Sequence, residues 1–284
     1  LRGRKGTTHN ITYKGAGYEK PIELHVPRDE VGMPTIHAAV MLDSTTGYIR
    51  LQDFGESTDQ ELGRALRDLT KEGMKRLVLD LRENPAGALD RAIKVSNPFL
   101  PGGDLIVYTR GRAPNSDQDY RATENSDFLN VPMVTLVNRN SASAWEIVAG
   151  ALQDHDRALI VGETTFGKAL VQSVYKVSQN AGAAITTARY YTPSGRLIQR
   201  PWDSSFDEYI TFCFRDQDPN KAHRSDDEKL TDSGRKVYSG GGVEPDKRFD
   251  GPVEGFNPSR FSRSLAARNL FDVYAQRFSR RGDT

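Results

Sequence analysis

Apolar and polar positions alternate along the first 31 residues, with turn signals at Gly3, Gly6 and Gly15-Ala16-Gly17. A period of two predicts short strands over 10–14 and 22–27. From Thr35 the rhythm changes. Residues 38–42 and 48–54 read as strands, and Thr58-Asp59-Gln60-Glu61 reads as a capping box opening a helix. Leu62, Ala65, Leu66 and Leu69 fall on one face of that helix before Gly73 stops it. The run Leu77-Val78-Leu79 predicts a strand buried on both faces, of the parallel-sheet kind. After it come a helix over 89–96, a strand over 105–109, a polar loop over 111–126 and a buried strand over 133–137. A helix over 144–152, a strand over 158–161 and a β-ribbon over 169–200 follow. Strand and helix alternate, which predicts an α/β fold with a mostly parallel sheet. Residues 203–239 are polar and irregular apart from an aromatic strand over 209–214, and apolar positions from Leu265 to Phe278 predict a terminal amphipathic helix.

Composition narrows the function classes. The 284 residues are 37% hydrophobic, enough for one large or two modest domains with a normal core. Lys and Arg number 39 against 38 Asp and Glu, so no general field favours nucleic acid or an anionic membrane. The single cysteine, Cys213, excludes an internal disulfide and leaves the redox compartment open; its apolar neighbours predict a buried strand thiol. No run of about 18 apolar residues is present, so no transmembrane segment is expected in this chain. The first residues carry neither an apolar signal segment nor an initiator Met, so the chain reads as a fragment or a processed product.

Two junctions follow buried strands directly: Asp80-Leu81-Arg82-Glu83-Asn84-Pro85-Ala86-Gly87 and Asn138-Arg139-Asn140-Ser141-Ala142-Ser143-Ala144-Trp145-Glu146. The carboxyl ends of parallel strands are where such sheets bind ligands. A serine there sits at a helix N-terminus, whose free N–H groups and dipole suit an oxyanion, although Ser141 or Ser143 also fits a plain N-cap. A serine nucleophile needs a base within hydrogen-bond reach. None of His9, His25, His37, His155 and His223 occupies a catalytic frame; His155 falls at the far end of the serine helix and reads as a surface residue. A lysine can replace histidine where desolvation favours its neutral form, and Gly162-Glu163-Thr164-Thr165-Phe166-Gly167-Lys168 offers one. No His/Cys cluster has metal-ligand spacing, and no cofactor is expected.

The segment from Ser141 to Leu152, followed by Gly162-Glu163, Phe166-Gly167-Lys168 and Val171-Gln172, resembles the active-site segment of the C-terminal processing peptidases, or tail-specific proteases. The resemblance continues through Leu79-Asp80-Leu81-Arg82, Asn84-Pro85 and Gly87, through Thr187 to Arg196, and through Gly240-Gly241-Gly242-Val243 with Pro245-Asp246. It implies a crotonase-like serine peptidase core with Ser143 as nucleophile, Lys168 as general base and Gln172 orienting the lysine, four positions on along one strand face. The backbone N–H groups of Gly87 and Ala144 would form the oxyanion hole, and Glu146 and Asp154 match acidic positions read here as structural supports. Residues 1–31 resemble the closing strands of a PDZ domain, which would leave 32–200 as catalytic core and 201–284 as a mixed region completing it.

The family pattern is broken at three places: Ala86 stands where glycine is expected, Trp145 where a small polar residue is, and Ala169 where glycine is usual. Alanine disfavours positive φ, so altered loop paths are expected at Ala86 and Ala169. The resemblance implies protein or peptide substrates recognised at accessible C-termini, a bacterial periplasmic or envelope setting, and compatibility with an oligomer or adaptor. The alternative reading is a catalytically impaired peptide-binding or ligand-binding member of the same fold.

Overall fold

A computed structural model describes residues 2–15, 20–30, 34–123, 125–201, 209, 211–214, 223–249, 259–268 and 270–280. The chain divides into two units, Leu1–Pro34 and Thr35–Thr284. In the first, β1 (Thr8–Tyr13) and β2 (Ile22–Pro27) pair antiparallel as a hairpin.

The second unit is built on β3 (Ile36–Met41), β4 (Thr46–Leu51), β5 (Arg76–Asp80), β8 (Met133–Val137), β9 (Leu159–Gly162) and β14 (Lys247–Arg248). Between β5 and β8 the chain forms β6 (Leu105–Gly111) and β7 (Gln118–Arg121), so the polar loop expected over 111–126 contains a short strand. β10 (Leu170–Ser178), β11 (Ala181–Tyr191), β12 (Glu228–Leu230) and β13 (Lys236–Tyr238) complete the strands. The six-stranded sheet runs β14-β9-β8-β5-β4-β3, parallel throughout except for the β3–β4 pair. A four-stranded antiparallel sheet, β10-β11-β6-β7, carries the ribbon.

Three helices cross between the parallel strands: α1 (Thr58–Lys71), α2 (Leu89–Ser96) and α3 (Ala144–Asp154). Leu62, Leu66 and Leu69 of α1 and Ala92 and Val95 of α2 join Ile49, Leu51 and Leu79 in one core. The Leu, Ile and Val side chains among them each stabilise the fold by about 1.5–3 kcal/mol when fully buried. Every residue of α3 is buried, and all but Glu146, Gln153 and Asp154 are apolar, as a helix enclosed on all sides requires.

The expected capping box at Thr58 does not form. Ser57 is the N-cap, and Glu61 turns outward from the helix to accept from Ser57 Oγ at 2.6 Å and from the N–H groups of Thr35 and Ile36 at 2.8 and 3.2 Å. Its carboxylate therefore anchors the entry to β3. Phe212–Phe214 is a 3-10 turn and not the expected strand, with Cys213 Sγ near the Arg139 carbonyl at 3.4 Å. The terminal helix is two helices, α4 (Arg260–Ala267) and α5 (Leu270–Arg280). Among the described residues no helix is long and apolar enough to cross a membrane.

Candidate active site

β5 and β8 are parallel neighbours, so the junctions that follow them emerge side by side. Several hydrogen bonds tie them together, among them that from the Ala142 N–H to the Asn84 carbonyl at 2.9 Å and that from the Trp145 indole N–H to the Ala86 carbonyl at 2.7 Å. Trp145 is fully buried and stacks on Phe54 with centroids 3.8 Å apart, so the departure from a small polar residue builds a strut between the loops. Gly87 lies so close that a Cβ there would sit 2.8 Å from the Ala144 Cβ and 2.9 Å from Phe54. The glycine brings its peptide up to the first residue of α3.

The two serines of this loop have different fates. Ser141 is buried; its hydroxyl donates to the Leu81 carbonyl at 2.9 Å and accepts from the Asn138 N–H at 3.0 Å. Ser143 caps α3 with φ 61° and ψ −119°, in a region that residues with a Cβ rarely occupy. Such strain, on the order of 1–3 kcal/mol, persists only where surrounding bonds over-determine the backbone. Neither Ala86 nor Ala169 has positive φ, so the altered paths expected at the two alanines do not arise from that constraint.

Lys168 ends the loop after β9. Gly162 (φ 131°) and Gly167 (φ 91°) supply the left-handed turns this loop needs. Its backbone is held at many points: the Phe166 N–H donates to the Ser141 carbonyl at 3.0 Å, and Thr165 exchanges bonds with Val243 at 3.1 and 2.7 Å. Arg200 donates its Nε to the Phe166 carbonyl at 2.7 Å and its backbone N–H to the Gly167 carbonyl at 2.8 Å. Ala169 is buried, with its N–H on Gln199 Oε1 at 2.7 Å.

Glu146 joins the serine and lysine segments. It is fully buried, and four donors meet it: the N–H groups of Ser143 and Lys168 at 2.8 Å each on Oε2, and Thr165 Oγ1 at 2.5 Å with the Gly167 N–H at 2.7 Å on Oε1. Burial pushes its carboxyl up to about 7, against the pull of these hydrogen bonds. An ionised carboxylate uses all four donors at once.

A cleft of about 360 Å³ is lined by Gly87, Ser143, Ala144, Lys168, Gln172 and Tyr190, among others, so five of the seven residues singled out from the sequence share it. Glu146 lies directly beneath. Asp154 is elsewhere: it closes the far end of α3 in a buried ion pair with Arg196 and accepts from the Ser194 N–H and hydroxyl at 2.9 and 2.7 Å. Gln172 is reached differently from the expectation. Lys168 precedes β10, and the register shifts between Val171 and Gln172, so the two residues do not sit four apart on one strand face. His155 is no surface residue. Its ring, 12% exposed, lies 2.7 Å from both the Leu105 carbonyl and Asp232. The sequence assigned no role to Thr165, Tyr190 or Arg200, since their contacts are made 19 or more positions away and leave no local pattern.

Fold and cleft thus define an α/β protein with a strained serine at the head of a buried helix and a lysine in the same cleft. The chain belongs to peptidase family S41, whose pattern matches residues 45–202. It is 41% identical over 203 residues to a carboxy-terminal-processing protease of Bartonella bacilliformis, covering 70% of this chain and 46% of that protein. With the carboxy-terminal processing protease CtpA of Bacillus subtilis it shares 34% identity over 200 residues, 70% of this chain and 42% of the relative. Among solved structures, the photosystem II D1 C-terminal processing protease superposes with a TM-score of 0.54 at 28% identity, over 87% of this chain and 57% of that one. The chain spans about half the length of the curated relatives it matches.

Proposed function

We propose that this chain is the catalytic part of a serine endopeptidase that cleaves proteins recognised near their C-termini. The observation that carries the reading is the sharing of one cleft by Ser143 and Lys168, whose backbones hang from the same oxygen of a buried glutamate. Unprotonated Lys168 Nζ takes the Ser143 Oγ proton as the oxygen attacks the scissile carbonyl carbon. The tetrahedral oxyanion is stabilised by the N–H groups of Gly87 and Ala144, the second also at the positive end of α3. Collapse breaks the C–N bond, the lysine returns its proton to the departing amine, and an ester to Ser143 remains. Water attacks that ester with Lys168 again as base, freeing the carboxylate product and Ser143. Gln172, on the wall of the same cleft, orients the lysine.

The finer reading of the fold is a crotonase-like core over 32–200, completed by 201–284 and preceded by the closing strands of a PDZ domain over 1–31. The β1–β2 hairpin and the burial of Val243 in the core support those two assignments. A periplasmic or envelope setting, and an oligomer or adaptor as partner, rest on the resemblance alone. Casein hydrolysis by the wild-type chain, with Ser143→Ala and Lys168→Ala as controls, tests the enzyme reading. Loss of turnover in both variants is expected; equal rates in all three proteins would sink it.

A further inference from the structure

The Ser143 and Lys168 N–H groups are fixed by Glu146, but a peptide held at one end can still swing. Their carbonyls converge on a third residue. The Tyr190 hydroxyl lies 2.9 Å from the Ser143 carbonyl oxygen and 2.5 Å from that of Lys168. We propose that Tyr190 is a positioning residue that fixes the separation of Ser143 and Lys168 by sharing its single hydroxyl proton between their backbone carbonyls in a three-centre hydrogen bond. The proposal rests on the reading of those two residues as nucleophile and base.

The mount is rigid. Tyr190 lies on β11 opposite Thr109 of β6, and its own N–H donates to the Ala169 carbonyl at 3.0 Å. Its ring is 2% exposed. Burial and the nearby charge of Glu146 hold the phenol well above its ordinary range, so the hydroxyl remains a donor throughout neutral pH. The Ser143 carbonyl is also the first acceptor of α3, taking the Glu146 N–H at 2.9 Å. Ser143 is therefore gripped on both sides of its strained Cα, by Glu146 through the N–H and by Tyr190 through the carbonyl. Lys168 is gripped by the same pair in the same way. A phenylalanine would fill the same space, so the hydroxyl alone makes the bridge.

The test compares Tyr190→Phe with Ser143→Ala in the full chain on casein. A small misplacement of reacting groups can lower turnover about 100-fold. For Tyr190→Phe a fall in kcat of about 10- to 100-fold with KM nearly unchanged is expected, the split that a buried phenol serving only the fold would not give. p-Aminophenylalanine at position 190, which keeps a donor in the same place, is expected to restore kcat. Wild-type kcat in Tyr190→Phe beside an inert Ser143→Ala overturns the bridge and leaves the nucleophile standing, whereas an active Ser143→Ala overturns the underlying reading. If Tyr190→Phe does not fold, the p-aminophenylalanine protein carries the test alone: near-wild-type kcat supports the bridge, and a folded protein without turnover refutes it.

Discussion

The backbone N–H groups of Ser143 and Lys168, 25 positions apart in the chain, donate to one oxygen atom, Glu146 Oε2, at 2.8 Å each. A single buried carboxylate thereby sets the distance between the segment carrying the proposed nucleophile and the segment carrying its base. Glu146→Gln should disrupt both. Glutamine has one accepting oxygen and an NH2 group, so two of the four donors now on Glu146 would meet another donor. Leaving buried donors unpaired costs about 1–3 kcal/mol each. Glu146→Gln is expected to lower the denaturation midpoint and to reduce casein turnover at least tenfold, on the order of 1.4 kcal/mol in the barrier. Unchanged stability and turnover would show that the carboxylate does not hold the two segments.

The same residue predicts a pH dependence of stability. Burial raises the Glu146 carboxyl from its ordinary 4.5 to about 7. Between those values the native state holds a proton that the unfolded chain has released. Its contribution to stability is complete below about 4.5 and is lost as pH rises through about 7. Urea unfolding of wild type from pH 4.5 to 8 should therefore show this loss, and Glu146→Gln should lack it. Turnover runs the opposite way, because the ionised form accepts all four donors. An identical pH slope in both proteins would remove Glu146 as its source.

Ala86 and Ala169, where the resemblance led to an expectation of glycine, should prove harmless, and Gly87 essential. Ala86 and Ala169 do not have positive φ. Replacing either by glycine is expected to leave kcat unchanged, with a small loss of stability from the freer unfolded chain. Gly87→Ala would place a Cβ 2.8 Å from that of Ala144 and 2.9 Å from Phe54. The loops must then part, carrying the Gly87 N–H away from that of Ala144. Because the Gly87 N–H is one of the two proposed oxyanion donors, a fall in kcat of at least tenfold is expected; removing one such donor costs about 100- to 1000-fold elsewhere. A higher kcat in Ala86→Gly, or no effect of Gly87→Ala, would contradict this account.

Much of the fold was legible because periodicity is local. The apolar runs of α2 and β8 coincide with the elements formed, Leu89–Ser96 and Met133–Val137. Where tertiary contacts decide, the pattern misleads. Phe212-Cys213-Phe214 has strand composition, yet Phe212 packs edge-on against Phe166 and lies under the Arg200 guanidinium, and the segment turns instead of pairing. Ser141 and Ser143 were equivalent by position as helix caps; only resemblance separated them. Their physical difference is the bond from Ser141 to Leu81, 60 residues away, which no local pattern records. The shift between Val171 and Gln172 is likewise set by pairing with β11 and is invisible in the sequence of β10.

The strain at Ser143 yields the last prediction, because a side chain kept in an unfavourable backbone conformation costs stability that its removal should return, and Ser143 is the proposed nucleophile. At φ 61° a side chain is disfavoured and glycine is not. Ser143→Gly is expected to be inert yet more stable than wild type, by about 1 kcal/mol less whatever the freer unfolded chain takes back. Ser143→Ala is also inert but keeps the Cβ, so it should gain less. Ser141→Ala provides the contrast: it removes the buried bond to the Leu81 carbonyl and should cost about 1 kcal/mol while the folded protein retains turnover. If the strain is real, thermal denaturation ranks Ser143→Gly as the most stable of the three variants, Ser143→Ala next and Ser141→Ala last. A Ser143→Gly protein less stable than Ser143→Ala would mean that Ser143 rests in this conformation without cost.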